Sequence, residues 1–224
     1  MIRLVMIFMA VLLAAGCATV PFREAPAVSM ETVDPLEVVA QFREHLPESF
    51  QLLNTVVFDY TWRKFLGVGY VGIDRTNDTF KVVCLNPMGV KLFDLTGDRN
   101  SVTPQDVIPA LANYGDLPRA VGDDIRRIYF DLTPSAGAAY RKGSTSIRFW
   151  QPAGPGTLEY VFAGAGRNLV EKNYYVNSSI VWRIAYYDYL LQAGKLYPQG
   201  TVLTNYQYGY ELTVRYKELI VEKD

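Results

Sequence analysis

Apolar and polar residues alternate most regularly near the end of the chain. Between residues 206 and 217 every second residue is apolar or aromatic: Tyr206, Tyr208, Tyr210, Leu212, Val214 and Tyr216. The intervening residues are mostly polar, and a period of two is typical of a half-buried β-strand. The phase changes near Glu218, where Leu219 and Val221 take the apolar face. The pattern therefore predicts a long final strand with a β-bulge near its end.

Shorter apolar runs with strand character occupy much of the rest of the chain. They are residues 56–63, 66–73, 80–85, 90–95, 146–151, 157–163, 168–175, 180–189 and 201–221. Turn-forming residues separate them, as in the segments 74–78 and 86–89, and such short connections join antiparallel neighbours. The spacing predicts a meander of strands before and after the middle of the sequence.

Helical spacing predicts one helix near the start of this region. Asp34 is a suitable N-cap, Pro35 fits the first helical position, and apolar residues come after it at intervals of three and four. The pattern predicts an amphipathic helix over residues 34–46, which ends at Pro47.

Two further helices are predicted in the middle of the chain. Residues 103–106 read Thr-Pro-Gln-Asp, which is typical of a capped helix start, although Pro109 must shorten or kink the helix. Residues 118–132 place a set of branched side chains on one face, with Asp123 and Asp124 on the solvated face. Two adjacent helical carboxylates point in different directions, so we expect no cation site there.

Strands, then short helices, then strands predict a mainly β fold of the α+β class. A twisted sheet of nine or more strands tends to curl. We therefore expect a curled antiparallel sheet that forms an incomplete β-barrel, with the short helices as a lid on its concave face.

The first 16 residues have the features of a targeting segment. Arg3 precedes an apolar run that is too short to span a bilayer, and small residues precede Cys17, as in a bacterial lipobox. Cleavage before Cys17 would leave a lipidated cysteine, residues 17–32 as a flexible tether, and a domain over residues 33–224. Ala18 after the cysteine indicates outer-membrane sorting. The alternative is an ordinary secretory peptide, with Cys17 as a bystander.

The amino-acid composition argues against several classes of function. The 22 Lys and Arg against 23 Asp and Glu leave no basic excess for nucleic acid. A single histidine and two cysteines are too few for the commoner metal sites. His45 is predicted on a solvated helix face, and Cys84 is interpreted as a buried, inert thiol rather than a nucleophile. We expect no enzymatic activity, no cofactor and no metal.

The aromatic content points to lipid binding instead. The chain contains 16 Tyr, 11 Phe and 3 Trp, most of which must form the core of the sheet. Because two or three short helices cover little of a large concave face, space remains for an acyl chain. The candidates for lining such a cavity are Phe58, Tyr60, Trp62, Trp182, Tyr206, Tyr208, Tyr210 and Leu212.

Three stretches resemble the LolA/LolB fold family, and specifically the LolB-like outer-membrane lipoproteins. They are FKVVCLNPMGVKLFDL at residues 80–95, VWRIAYYDY at residues 181–189, with Pro198 after it, and YGYELTVRYKEL at residues 208–219. The extra helix over residues 34–46 and the long connection over residues 151–156 indicate a divergent member.

The resemblance implies a lipid-anchored protein on the periplasmic side of the outer membrane. Such a protein binds the acyl chains of lipoproteins or lipids in an apolar cavity and passes them to the membrane, with a periplasmic carrier protein as a further partner. Pro87, Met88 and Gly89 then form the loop that delivers the cargo, although Met88 could also fold back on the sheet. The alternative is an accessory lipoprotein that fills its own cavity and acts by protein contacts.

Overall fold

The computed structural model describes residues 22–61, 63–112 and 115–220. The predicted signal peptide, the lipidation site Cys17 and the cavity candidate Trp62 lie outside the described residues. None of the helices in the described part of the chain is long and apolar enough to cross a membrane.

Strands dominate the described residues, with three helices among them. The helices are α1 (Pro35–Glu44), α2 (Pro109–Ala112) and α3 (Leu117–Tyr129). The strands are β1 (Ser49–Tyr60), β2 (Arg63–Asp74), β3 (Thr79–Leu85), β4 (Lys91–Gly97), β5 (Val102–Val107), β6 (Ala139–Lys142), β7 (Ser146–Ala153), β8 (Gly156–Ala163), β9 (Asn168–Val176), β10 (Ser179–Gln192), β11 (Lys195–Asn205) and β12 (Tyr210–Leu219).

These strands form a single sheet in the order β5-β4-β3-β2-β1-β12-β11-β10-β9-β8-β7-β6. Every neighbouring pair is antiparallel, and β1 pairs with β12 in the middle of the sheet. The edge strands β5 and β6 do not pair with each other, so the barrel is open, and α2 and α3 lie in the connection between them. The prediction of an incomplete antiparallel barrel with short helices is confirmed.

Helix α1 forms where the sequence predicts it. The Asp34 side chain accepts a hydrogen bond from the backbone N–H of Leu36 at 2.8 Å, and Pro35 occupies the first turn. The apolar face is buried, and the Phe42 ring packs edge-on against Phe162 with 5.5 Å between ring centroids. The helix therefore covers the inner face of the sheet at the β8 end.

The bulge in the last strand is confirmed by the pairing of β1 with β12. Leu53 lies opposite Glu218, whereas its neighbour Asn54 lies opposite Tyr216. Lys217 is therefore the extra residue, and it restores Leu219 to the apolar side of the strand.

The helix predicted to start at residues 103–106 is wrong, because this segment belongs to strand β5. Strand β5 is at the edge of the sheet and pairs only with β4. Pro104 has no N–H to donate, and an edge strand tolerates a proline that a central strand would not. The pairing also shifts register next to Pro104, between Asp94 and Leu95 of β4.

The described part of the predicted tether packs against the sheet, so a boundary at residue 32 is wrong. Met30 is fully buried, and its N–H donates to the carbonyl of Ser144 at 2.7 Å. The Phe22 ring stacks on Tyr187 with 5.3 Å between centroids, and the Arg215 guanidinium carbon lies 5.0 Å from the Phe22 ring centroid. We call residues 22–32 the N-terminal strap.

Candidate functional site

The antiparallel register brings five of the inward-facing side chains together near one end of the sheet. Phe58 lies opposite Leu212 of β12 and Phe65 of β2, and Tyr60 lies opposite Tyr210. The Phe58 and Tyr210 ring centroids are 5.1 Å apart. These side chains are half-buried or exposed, in contrast to the fully buried core further along the same strands. We call this group the aromatic trough.

Two glycines of β2 allow the floor of the trough to pack closely. A Cβ on Gly67 would lie 3.0 Å from Cys84 Sγ, and one on Gly69 would lie 2.9 Å from a Val56 methyl carbon. Cys84 is buried, and burial raises the pKa of its thiol to about 11. The thiol is therefore protonated at neutral pH, which agrees with a packing role.

Helix α3 lies over the inner face and is held to β12 by a hydrogen-bonded carboxylate. The Tyr210 hydroxyl donates to Asp124 at 2.6 Å, and Arg127 donates to the same carboxylate at 2.8 Å. Burial raises the pKa of Asp124. The prediction that Asp124 faces solvent is wrong, because its polar partners lie on the sheet and on its own helix and compensate for burial. We call the contact between Asp124 and Tyr210 the latch.

The carboxyl end of α3 is held by a buried lysine. Lys172 Nζ donates to the carbonyl oxygens of Arg127 and Phe130, each at 2.8 Å, and of Asp131 at 3.2 Å. The last carbonyls of a helix lack intrahelical partners, so the lysine satisfies groups that would otherwise be orphaned. Burial lowers the pKa of Lys172 to about 7.

Trp182 belongs to the core beneath α3 rather than to an open cavity. Its side chain is buried and stacks on Tyr174 with 5.6 Å between ring centroids. The Arg127 guanidinium carbon and Lys172 Nζ lie 5.8 and 5.9 Å from its ring centroid. Trp182 lies opposite Asn205 of β11, which in turn lies opposite Tyr210, so it is buried under the lid two strands from this trough residue.

Tyr206 and Tyr208 do not line the cavity, and that prediction is wrong. Strand β12 begins only at Tyr210, and both tyrosines lie in the preceding turn with exposed side chains. Backbone pairing between β11 and β12 ends at Asn205 and Tyr210. The alternation of apolar and polar residues therefore continues into the turn without reflecting strand structure there.

Met88 lies at the tip of the loop between β3 and β4, with 84% of its surface exposed. The Asn86 side chain accepts hydrogen bonds from the N–H groups of Met88 and Val90, each at 2.9 Å. Gly89 has φ +81, a left-handed conformation that favours glycine. The alternative in which Met88 folds back on the sheet is wrong, because the ordered turn points this side chain outward.

Exposed apolar side chains gather around this same end of the sheet, which we call the upper rim. It comprises the turns that join β1 to β2, β3 to β4, β7 to β8, β9 to β10 and β11 to β12. The large exposed apolar residues on or beside it are Tyr60, Leu66, Met88, Val90, Tyr206 and Tyr208. Sequence reasoning missed this cluster because its members are far apart in the chain and meet only through strand pairing.

The space beneath the lid is mostly filled by the protein itself. Tyr160, Phe149 and Phe162 are almost fully buried on the inner face of β7 and β8. A depression of about 480 Å³ opens between β5 and the start of α3, lined by Val107 and Pro118 among others. Among the described residues, no group of three or more His, Cys, Asp or Glu side chains is arranged to hold a metal ion.

Several solved structures share this architecture. An outer membrane lipoprotein-sorting protein domain from Vibrio parahaemolyticus aligns over 83% of this chain and 91% of its own, with 10% identity and a TM-score of 0.56. A LolA superfamily protein from Nitrosomonas europaea aligns over 86% and 95%, with 11% identity and a TM-score of 0.54. At these identities the likeness concerns the fold alone.

A DUF1329 family protein from Desulfovibrio piger shares the fold as well, with 8% identity over 85% of this chain and 94% of its own and a TM-score of 0.54. No curated protein matches the sequence significantly. Residues 70–218 match the family described as "Protein of unknown function (DUF3261)". The match spans more than half of the chain, and the chain belongs to this family.

Proposed function

We propose that this chain is a lipid-anchored carrier or receptor on the periplasmic face of the bacterial outer membrane. It binds acyl chains of lipoproteins or lipids in the aromatic trough and passes them to the membrane. The observation that carries the proposal is a half-buried aromatic surface, facing inward in an open barrel, beneath an amphipathic helix fixed by a few polar contacts. The shared fold with a lipoprotein-sorting domain supports this function.

The energetics of transfer favour a carrier that never releases its cargo into water. Burial of one CH₂ group contributes roughly 0.8 kcal/mol, so a sixteen-carbon chain loses on the order of 13 kcal/mol on leaving an apolar environment. A protein groove of similar apolarity makes exchange with the bilayer nearly balanced. The direction of transfer then requires only a modest difference in affinity between the groove and the bilayer, and no chemical reaction.

Entry of an acyl chain requires α3 to move away from the sheet, because the lid and the core now fill the space. The latch holds the middle of α3 at Asp124, and Lys172 holds the carboxyl end of the helix. We infer that α3 pivots about the Lys172 end while the latch opens. The trough then gains room without disrupting the deeper core.

Anchoring through Cys17 would keep the domain close to the membrane. Four residues separate Cys17 from Phe22, where the strap contacts the sheet. Five extended Cα–Cα steps span about 17 Å. The lipidated cysteine would therefore be joined to the folded domain by a short segment and not by a long tether. The exposed apolar side chains of the upper rim then contact the bilayer or a periplasmic carrier protein.

Binding in the trough is tested by a pair of substitutions at neighbouring positions on β1. We expect Phe58→Glu to weaken binding of a fluorescent fatty acid by at least about tenfold, because a carboxylate must be desolvated beside the acyl chain. Val57→Glu is the matched control, since Val57 pairs with Leu66 and Thr213 on the outer face of the same strands. Titration of the fatty acid and thermal melting are measured for each variant.

Equal affinity for the two Glu variants, at equal thermal stability, contradicts binding on the inner face. Absence of measurable fatty-acid binding by the wild-type protein favours the accessory alternative, in which the protein fills its own cavity. The burial of Tyr160, Phe149 and Phe162 is the observation in favour of that alternative.

Delivery through the β3–β4 loop gives a separate prediction. Met88→Glu is expected to change the free energy of unfolding by less than about 0.5 kcal/mol, because the side chain is exposed. Fatty-acid binding should persist, whereas transfer to vesicles that contain anionic lipid should slow, because the carboxylate resists insertion and is repelled by the surface. Met88→Leu, which keeps an apolar tip, should transfer at the normal rate. Transfer by Met88→Glu at the rate of Met88→Leu would show that this loop has no role in delivery.

A further inference from the structure

The outer, convex face of the sheet carries a second depression, on the opposite side from the trough. It has a volume of about 390 Å³ and lies where the β7–β8 and β9–β10 turns approach each other. Its lining residues are Trp150, Pro155, Gly156, Thr157, Glu159, Tyr175, Asn177 and Ser178. It thus combines two aromatic side chains, a carboxylate and several small polar groups.

Strand register places the principal groups side by side. Trp150 of β7 lies opposite Glu159 of β8, and Glu159 lies opposite Asn173 of β9. Tyr175 lies opposite Thr157 one row further along. Directly opposed residues point to the same face of a sheet, so these side chains form one surface on rigid strands. Gly156 brings β8 close to β9, because a Cβ there would lie 2.1 Å from the Tyr175 carbonyl oxygen.

The carboxylate at the centre is buried and fixed in orientation. Glu159 is 4% exposed and accepts hydrogen bonds from Arg148 at 3.0 Å, Asn173 at 2.8 Å and Tyr175 at 3.2 Å. Arg148 and Tyr175 reach it from neighbouring strands. A buried acceptor held by three donors is pre-organised, which reduces the entropy lost when a ligand binds.

Hydrogen-bonding capacity remains in this network. The Asn173 amide nitrogen donates to Glu159 and also to Glu171, at 2.8 and 3.4 Å, so its oxygen faces away from both carboxylates. Within the described part of the chain this buried oxygen has no hydrogen-bond partner, and neither has Nε of Arg183. Buried polar atoms of this kind are uncommon and are often found at functional sites.

The charges of the network balance, and this selects the class of ligand. Arg148 pairs with Glu159 and Arg183 pairs with Glu171, so the four ionic groups sum to zero. A free cation or anion gains little net attraction at such a place. A neutral ligand with many hydroxyl groups can instead exchange hydrogen bonds with carboxylate, amide and guanidinium groups while an apolar ring face packs on an aromatic side chain.

We propose that this depression is a saccharide-binding site, in which Trp150 stacks on a sugar ring and Glu159 and Tyr175 hydrogen-bond its hydroxyl groups, while Asn173 holds the Glu159 carboxylate in place. The sugar comes either from a soluble glycan or from a glycolipid headgroup. The site lies on the outer face of β7–β9, whereas the trough lies on the inner face of β1, β2 and β12. Saccharide binding is therefore independent of acyl-chain binding.

The test measures binding of the purified protein to free disaccharides and to vesicles. The free probes are cellobiose, maltose and the β-1,4-linked dimer of N-acetylglucosamine, and binding is followed by calorimetry and tryptophan fluorescence. We expect at least one to bind, and Trp150→Ala and Glu159→Gln each to weaken its affinity by about tenfold or more. Tyr140→Ala is the control, since Tyr140 is an exposed aromatic residue on β6 that does not line the depression. Trp150→Ala should melt normally and bind fatty acid normally.

Vesicles that contain digalactosyl diacylglycerol distinguish the two sources of the sugar. Binding to these vesicles but not to free disaccharides assigns a glycolipid headgroup, whereas the reverse assigns a soluble glycan. Absence of binding to every probe overturns the proposal, and so does binding that Trp150→Ala and Tyr140→Ala weaken equally. If Phe58→Glu abolishes fatty-acid binding but leaves saccharide binding intact, the saccharide site is supported independently of the proposed carrier function.

Discussion

Replacing Lys172 with methionine is expected to lower the free energy of unfolding by about 2–5 kcal/mol, because it leaves carbonyl oxygens at the end of α3 without donors. The three acceptors belong to Arg127, Phe130 and Asp131, and the Lys172 side chain that joins them to β9 is fully buried. Methionine fills a similar volume but donates no hydrogen bond. Chemical denaturation of the two proteins measures the difference.

Lys195→Met is the matched control for this substitution. Lys195 Nζ also donates to a helix carbonyl, that of Glu44 at 2.9 Å, but this contact is exposed to solvent. Water can replace the exposed donor, so the loss of stability should be within about 1 kcal/mol. Equal losses for the two substitutions would show that the buried lysine is not a special anchor of α3.

The pH dependence of the Lys172 variant has a definite sign. Burial lowers the pKa of Lys172 from 10.5 to about 7 in the folded protein. Between these two values the unfolded chain binds a proton that the folded chain does not, so this group adds stability as pH rises. The difference in unfolding free energy between wild type and Lys172→Met should therefore grow from pH 7 to pH 9. A difference that stays constant over this range would show that the folded pKa is not depressed.

Removing the N-terminal strap is expected to have the second large effect. A protein that starts at residue 33 loses the buried Met30 side chain and its hydrogen bond to Ser144, which together stabilise the fold by about 3–5 kcal/mol. The comparison protein starts at residue 22. Met30→Ala in the longer protein should reproduce most of the loss. Equal denaturation midpoints for the proteins that start at residues 22 and 33 would contradict a structural role for the strap.

Much of the sheet was predictable because its strands and turns are determined by residues that are close together in sequence. The alternation over residues 210–217 fixes which face is buried, and the phase change near Glu218 corresponds to a bulge in the pairing with β1. The Asn-Pro-Met-Gly sequence forms its turn through hydrogen bonds to Asn86 within the same loop. These features need no knowledge of distant residues.

The errors share a different physical origin. Pro104 fits a helix start as well as an edge strand, and only the position of β5 in the sheet decides between them. Asp124 looks solvated until Tyr210 of β12 is placed above it. Met30 has no periodic apolar neighbours, and its burial depends on a contact with residue 144. In each case a partner far away in sequence determines the environment.

In the candidate site, too, the features set by local sequence were predictable and those set by distant partners were not. Phe58 and Tyr210 were predicted from strand period, and the register confirms that they share the inner face. Helix α3 was predicted, but its attachment through Lys172 was not, because the carbonyl partners lie more than 40 residues away in sequence. Tyr206 and Tyr208 lay outside the strand because the turn occupies residues 206–209.

Photo-crosslinking with a fatty acid that carries a diazirine near the middle of its chain tests acyl-chain binding most directly. After irradiation, the labelled peptides are identified by mass spectrometry, and unlabelled fatty acid serves as the competitor. Binding in the aromatic trough predicts competed labels on the inward-facing residues Phe58, Phe65 and Leu212, with little label on the outward-facing Val57 and Leu66. Competed labels confined to outward-facing residues or to upper-rim residues other than Tyr60, or no competed label at all, would contradict a carrier that holds its cargo beneath α3.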